Sequence, residues 1–172
     1  MPSLSLSPYP YEMRYFALTK LELQKKDIVP TLETISLKRL RTLYVTGEES
    51  AKQVKLRAER LAAGMGAGAS DFSNCLIYSE TLMENVITEA RALMPDLMVV
   101  DSVQTMYSQA VESSPGSVSQ IKETAAMLLR FAKETGVPVI LIGHITKEGS
   151  IAGPKILEHI VDVVLQFEGT RG

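Results

Sequence analysis

The chain has 172 residues, a net charge of −2 and 45% hydrophobic residues, a composition typical of a water-soluble globular domain. It contains no apolar run near the roughly 18 residues that cross a membrane, and its overall charge excludes nucleic-acid binding except through local basic patches. The one cysteine, Cys75, excludes an internal disulfide and a cysteine-based zinc site. A reducing, intracellular compartment is the simplest context.

Residues 1–41 show no clean hydrophobic period and are interrupted by several prolines. We predict a divergent N-terminal segment that is poorly ordered or forms one short helix over 18–26. Its start is rich in serine and poor in acidic residues, which weakly indicates a transit peptide. The bacterial cytoplasm and, in a eukaryote, the chloroplast or mitochondrion all stay open. Residues 42–172 are predicted to form the folded core.

From residue 42 onward, short apolar runs alternate with segments that have apolar residues at helical spacing. This β-α-β-α-β-α-β order over 42–143 predicts an α/β fold with a mostly parallel β-sheet flanked by helices. Alternation at Val161, Val163, Leu165 and Phe167 adds a half-buried strand, either antiparallel or at an edge. The predicted strands are 42–46, 75–79, 97–100, 137–143 and 160–168.

Each predicted helix follows a Ser or Thr with Gln or Glu three residues later, which is the spacing of a capping box. The pairs are Ser50 with Gln53, Thr81 with Glu84, and Ser117 with Gln120. The last helix has the strongest period of the chain. Its predicted inner face consists of Val118, Ile121, Ala125, Leu128, Leu129 and Ala132.

Ionisable side chains follow the ends of the four predicted parallel strands: Glu48, Glu80, Asp101 and His144. Ligands of open α/β sheets bind at this carboxyl edge. Four apolar residues followed by Asp101 form the pattern of a Walker B element, whose carboxylate binds the Mg²⁺ that bridges nucleotide phosphates. The alternative is that Asp101 only caps the next turn.

Glu48 is placed to polarise a water for attack on a phosphate. The alternative for Glu48 and Glu49 is an acidic helix start that suits the helix dipole, and Glu49 fits this alternative better. His144 is placed to hydrogen-bond a terminal phosphate, with a structural histidine as its alternative.

Three stretches resemble the RadA, or Sms, family of bacterial-type DNA repair proteins: "LYVTGEESAKQVKLRAERL" (43–61), "PDLMVVDSVQTMYS" (95–108) and residues 113–169. The most specific part of the third stretch is "GHITKEGSIAGPKILEH" (143–159). The likeness extends over about residues 42–171. It implies a RecA-like ATPase core of the P-loop NTPase superfamily, with ATP and Mg²⁺ as cofactors. It further implies single-stranded or branched DNA as partner, action in DNA recombination, and assembly into a homo-oligomeric ring or with a full-length relative.

The resemblance also implies roles for individual residues. Glu48 takes the place of the catalytic glutamate and His144 that of the phosphate-sensing residue. Asp101 takes the place of the Walker B aspartate that holds the metal, with Ser102 beside it at the nucleotide. Loops 104–116 and 145–154 correspond to the two DNA-facing loops, which makes Lys147, Lys155 and Tyr107 candidates for nucleic-acid contacts. For Tyr107, surface packing is the alternative.

The chain departs from the family pattern in three places. The resemblance implies a four-cysteine zinc finger, a P-loop and a Lon-protease-like C-terminal domain, and none of the three is found in this sequence. We therefore expect a fragment or an aberrant gene product that does not hydrolyse ATP alone. The alternative is a non-catalytic DNA-binding or co-assembly module in which residues 1–41 replace the missing strand. A third possibility is that the isolated chain does not fold stably, since a sheet without its central strand exposes its edges.

Overall fold

Six strands form one sheet in the computed structural model, which describes residues 12–18, 40–64, 72–145 and 156–166. The strands lie in the order β3-β2-β4-β5-β1-β6, and the first four are parallel to one another. This confirms the predicted mostly parallel α/β sheet. The strands are β1 Glu12–Leu18, β2 Thr42–Thr46, β3 Cys75–Ser79, β4 Leu97–Asp101, β5 Val139–Ile145 and β6 Val163–Gln166.

Three helices connect the parallel strands, each at the place that the sequence pattern predicts. They are α1 Ala51–Gly64, α2 Met83–Leu93 and α3 Val118–Thr135. Single 3-10 turns at Phe72–Asn74 and Val103–Thr105 lie beside β3 and β4. Within the described ranges, none of the helices combines the length and apolar character needed to cross a membrane.

β1 lies inside the sheet, where it pairs antiparallel with β5 on one side and with β6 on the other. We predicted poor order or a short helix in this segment, and the structure has a strand at Glu12–Leu18 instead. Its ladder bonds to two neighbours, rather than a local hydrophobic period, account for the strand. The helix expected over 18–26 lies outside the described residues except for Leu18, which ends β1.

The core consists of side chains from the middle of the parallel strands and from the inner face of α3. Val45, Val100 and Leu141 stand on three neighbouring strands and are fully buried. Burial of side chains of this size contributes roughly 1.5–3 kcal/mol each. The predicted face of α3 is confirmed at four fully packed positions, and Leu129 packs against the core only partly buried. Val118 is 41% exposed because it begins the helix, and Phe131 joins the core instead. The four confirmed positions are Ile121, Ala125, Leu128 and Ala132.

β6 is an edge strand with an antiparallel neighbour, as the sequence analysis allowed. The half-buried alternation predicted for it is wrong at Val163, which is 44% exposed, and the adjacent Val164 is 39% exposed. The physical reason is its position: among the described strands β6 pairs only with β1, and it lies two strands away from the last parallel strand.

The three predicted capping boxes differ in outcome. The Ser50–Gln53 pair is confirmed, because Gln53 N–H donates to Ser50 Oγ at 3.4 Å and Ser50 N–H donates to Gln53 Oε1 at 2.9 Å. Ser117 Oγ accepts from Gln120 N–H at 3.3 Å, but the Gln120 side chain turns elsewhere. One half of this second box therefore forms.

The third box, Thr81 with Glu84, is wrong. Helix α2 begins one residue late, and the carboxylate of Glu80 takes over by accepting from Thr81 N–H at 2.8 Å and Leu82 N–H at 3.0 Å. The Asn85 amide also donates to it at 2.8 Å. The hydrogen bond from Leu82 N–H, and next the one from the Asn85 amide, lower the pKa of Glu80 below its ordinary value of 4.5.

We expect Glu80→Ala to lower the free energy of unfolding by about 1 kcal/mol near pH 7, the usual net contribution of an intramolecular hydrogen bond, because Thr81 N–H, Leu82 N–H and the Asn85 amide lose their acceptor. The folded-state pKa lies below the unfolded one, so this contribution is present above the unfolded value and is lost as pH falls through the folded value. Urea unfolding at several pH values should therefore show a difference from wild type that shrinks below pH 4.5. Glu89→Ala, an exposed change on the same helix, is the control. A difference that does not change with pH would contradict the assignment.

Candidate nucleotide and metal site

Three of the parallel strands, β3, β2 and β4, end at one level, and β5 continues three residues further. Ser79, Thr46, Asp101 and Ile142 stand side by side in the register of β3, β2, β4 and β5. The backbone of each strand therefore delivers its next residues to the same edge. Glu48 and Glu80 follow there, as predicted. His144 was predicted to follow a strand that ends at residue 143, but β5 continues to Ile145 and pairs His144 with Met13, because β1 extends the ladder beyond the parallel strands. The side chain of His144 lies outside the described part of the structure.

A pair of hydroxyl groups holds the two central carboxylates in a reciprocal arrangement. The Tyr44 hydroxyl on β2 donates to Asp101 Oδ2 at the end of β4. The Ser102 hydroxyl, directly after β4, donates to Glu48 Oε1 beyond β2 at 2.5 Å. Each strand thus supplies the donor for the carboxylate of its neighbour. Charge-assisted bonds of this kind are short and about twice as strong as neutral ones.

Tyr44 contacts Asp101 at this edge and was not among the predicted site residues. Burial, and next the hydrogen bond to Asp101, raise the pKa of the Tyr44 phenol far above its usual range. The phenol therefore keeps its proton and stays a donor at any physiological pH. The signal available in the sequence was the position of Tyr44, two residues before the end of a strand that neighbours β4, which puts it on the same face as Thr46.

Ser102 is fully buried, and the peptide bond between Asp101 and Ser102 is cis. The sequence analysis assigned Ser102 to the nucleotide. The structure places its hydroxyl against Glu48, so within this chain it holds a carboxylate.

Three N–H groups in the turn from β2 to α1 already donate hydrogen bonds within the chain. Gly47 N–H donates to Asp101 O at 3.1 Å, and the N–H groups of Glu48 and Glu49 donate to Thr46 Oγ1 at 3.4 and 3.2 Å. A Cβ at Gly47 would lie 2.3 Å from Thr105 Oγ1, so only glycine fits there without movement. The turn is therefore tightly packed and offers no phosphate cradle at these three groups.

The donor set fits a metal better than it fits a triphosphate. Mg²⁺ prefers oxygen ligands and keeps several waters, so one carboxylate such as Asp101 at a rigid strand end suits it. No group of three or more His, Cys, Asp or Glu side chains with metal-binding geometry occurs among the described residues. Phosphate groups require clustered N–H donors or a P-loop lysine, and residues 1–42 contain no P-loop motif.

The loop between β4 and α3 is organised by one buried side chain. The Gln120 carboxamide accepts from Ser108 N–H at 2.8 Å and donates to the carbonyl groups of Ser108, Val111 and Ser113 at 2.9–3.1 Å. Glu84, freed from the predicted capping box, accepts from the Ser108 hydroxyl at 2.7 Å. This loop is the first of the two that the sequence analysis assigned to DNA, and it is fixed from within the chain.

Tyr107 lies in this loop and is half-buried. Its N–H donates to Thr81 O at 3.0 Å, and its carbonyl accepts from Met83 N–H at 2.9 Å. The backbone of Tyr107 is thus tied to the start of α2. The other two nucleic-acid candidates, Lys147 and Lys155, lie outside the described residues.

Comparison with known proteins agrees with this geometry. Residues 27–150 match the family described as AAA domain, and this range is more than half of the chain. The parallel sheet and its carboxylate edge therefore belong to an AAA domain.

Curated relatives give a narrower assignment. The chain is 47% identical over 131 residues to the DNA repair protein RadA of Pseudomonas aeruginosa, which covers 76% of the chain and 27% of that relative. The RadA of Aquifex aeolicus is 50% identical over 131 residues, with 76% and 28% coverage. That of Bacillus subtilis is 49% identical over 129 residues, with 75% and 27% coverage. The chain belongs to the RadA family as a partial member, since it matches little more than a quarter of the length of these relatives.

We expect Gln120→Met to destabilise the chain by roughly 3 kcal/mol, because each buried group left without its hydrogen bond costs about 1–3 kcal/mol. Methionine keeps the length of the side chain and removes both polar atoms. Urea unfolding measures the change, and amide hydrogen exchange at Ser108 should accelerate. Gln109→Met, an exposed neighbour in the same loop, is the matched control. A loss as small as that of the control would show that the loop does not depend on Gln120.

Proposed function

We propose that this chain is the carboxylate-bearing part of the ATPase core of a RadA-type DNA repair factor. In this proposal it acts inside the cell in DNA recombination, on single-stranded or branched DNA, with ATP and Mg²⁺ as cofactors of the complete core. The observation that carries the proposal is the reciprocal hydrogen bonding of Asp101 and Glu48 at adjacent strand ends. Membership of the RadA family supports it.

The carboxylates take separate roles in the proposed chemistry. Asp101 would hold Mg²⁺, which when bound neutralises charge on the phosphate groups. Glu48, on the neighbouring strand, would orient the attacking water and accept its proton. His144, in the register of β5 two residues beyond Ile142, would report the terminal phosphate.

The chain by itself is proposed to be an incomplete ATPase. The N–H group of Gly47 donates to Asp101 O on β4, and those of Glu48 and Glu49 donate to Thr46 Oγ1. The sheet position beside β5 is occupied by an antiparallel strand. The phosphate-binding groups would then have to come from a longer form of the protein or from a full-length relative in a ring.

We expect the purified chain to bind Mg-ATP with a Kd of about 1 mM or weaker, because the N–H groups and lysine of a P-loop supply most of the hydrogen bonds to the phosphates. Titration with a fluorescent ATP analogue in the presence of Mg²⁺ measures this. The Asp101→Asn variant sets the background. Micromolar binding that Asp101→Asn abolishes would overturn the claim that the chain is an incomplete ATPase.

A second candidate function is a non-catalytic module that binds DNA or co-assembles with a full-length relative. The interior position of β1 favours it, because the N-terminal segment supplies a strand to the sheet. In this second function Lys147 and Lys155 contact the phosphate backbone and Tyr107 stacks on a base.

Binding to a fluorescein-labelled oligo(dT), followed by anisotropy at several salt concentrations, tests this function. Lys147→Ala with Lys155→Ala should weaken binding and lower the salt slope by about 0.7 for each phosphate of the single strand that a lysine no longer neutralises. Lys133→Ala, an exposed lysine in the last turn of α3, is the charge-matched control. An unchanged slope in the double variant, or an equal decrease in the control, would argue against these two lysines as DNA-binding residues.

A further inference from the structure

Tyr44 stands where it can control how Asp101 presents its carboxylate. It lies on β2 opposite Val99 of β4, while Asp101 lies two residues further along β4 opposite Thr46. Residues two apart on a strand point to the same face, and diagonal neighbours on adjacent strands are within reach of an aromatic side chain. The phenol therefore approaches Asp101 from the side of the sheet and not from beyond the strand end.

The hydrogen bond engages Asp101 Oδ2, one of the two oxygens of the carboxylate. A carboxylate at the end of a strand rotates about its terminal torsion unless a partner fixes it. With Oδ2 held from within the sheet, Oδ1 is the oxygen left to face a ligand beyond the edge. Groups that orient a metal-binding carboxylate in this way commonly change metal affinity by 10–100-fold when removed.

We propose that Tyr44 is a positioning residue that holds Asp101 Oδ2 so that the carboxylate presents Oδ1 to a divalent cation. This inference rests on the proposed function, in which Asp101 binds Mg²⁺. It assigns to Tyr44 a role that depends on its hydroxyl group and not on its bulk. Ser102 does the same for Glu48 from the opposite strand, so the two carboxylates keep a fixed spacing.

The test uses the full 172-residue chain and Mn²⁺ as the probe for Mg²⁺, with free Mn²⁺ followed by electron paramagnetic resonance. Tyr44→Phe removes one oxygen and keeps the ring, and it should weaken Mn²⁺ binding about tenfold or more. Tyr78→Phe, on the neighbouring edge strand β3, removes a phenol hydroxyl away from Asp101 and should leave binding unchanged. Tyr44→Leu gives a second variant without the hydroxyl if the phenylalanine variant melts early.

The outcomes separate this inference from the proposed function. Equal Mn²⁺ binding by wild type and Asp101→Asn would refute the metal role of Asp101, and the inference would fall with it. Loss in Asp101→Asn but wild-type affinity in Tyr44→Phe would overturn the role of Tyr44 alone. A crystal structure of Tyr44→Phe supplies a readout without metal: we expect a rotated Asp101 carboxylate, and an unchanged orientation would contradict positioning.

Discussion

The in-register pairing of β2 with β4 is the constraint on which the candidate site depends. It places Thr46 opposite Asp101, so that both strands end at the same level. A shift of this register by one residue would move each side chain to the other face. The two hydroxyl–carboxylate bonds between the strands would then be impossible. The hydrophobic packing that fixes the register, with Val45 and Val100 fully buried, is therefore also what sets the distance between the carboxylates.

The polar groups of this edge mostly satisfy one another. Thr46 accepts from the turn that follows β2, Glu80 accepts from the N–H group of Thr81 just before α2, and Gln120 binds three carbonyl groups of the loop before α3. Buried polar groups need such partners, and a fully satisfied network is rigid. Rigidity suits a metal-holding carboxylate, which gains from a fixed orientation. It does not suit the capture of a triphosphate, because the N–H groups of Gly47, Glu48 and Glu49 already donate within the chain.

The sequence predicted the four parallel strands within about two residues, because continuous β-branched runs and helical periods are local signals. It also predicted which strand ends bear Glu48 and Asp101. It missed Tyr44, whose partner Asp101 is 57 residues away along the chain. It also missed the loop-binding role of Gln120, because the path of the loop before α3, which brings its carbonyl groups to Gln120, has no periodic signal. The capping boxes show that spacing alone does not determine the hydrogen bonds. The same spacing occurs three times, but at Thr81 the carboxylate of Glu80 accepts from the N–H groups of Thr81 and Leu82 instead. β1 was missed because its pairing with two neighbours replaces any local period.

The direction of β1 has a consequence for nucleotide binding. Because β1 is antiparallel to β5, its first residue, Glu12, pairs with Ile145 at the functional edge, and its last, Leu18, pairs with Val139 at the opposite edge. A phosphate-binding loop follows the carboxyl end of its strand and leads into a helix. The backbone that leaves β1 departs from the edge away from Asp101, so a loop directly after β1 would begin at the wrong side of the sheet. A strand in this orientation adds to the sheet without supplying a phosphate-binding loop at the carboxylate edge, so the proposed function requires the triphosphate-binding groups to come from another segment or another chain.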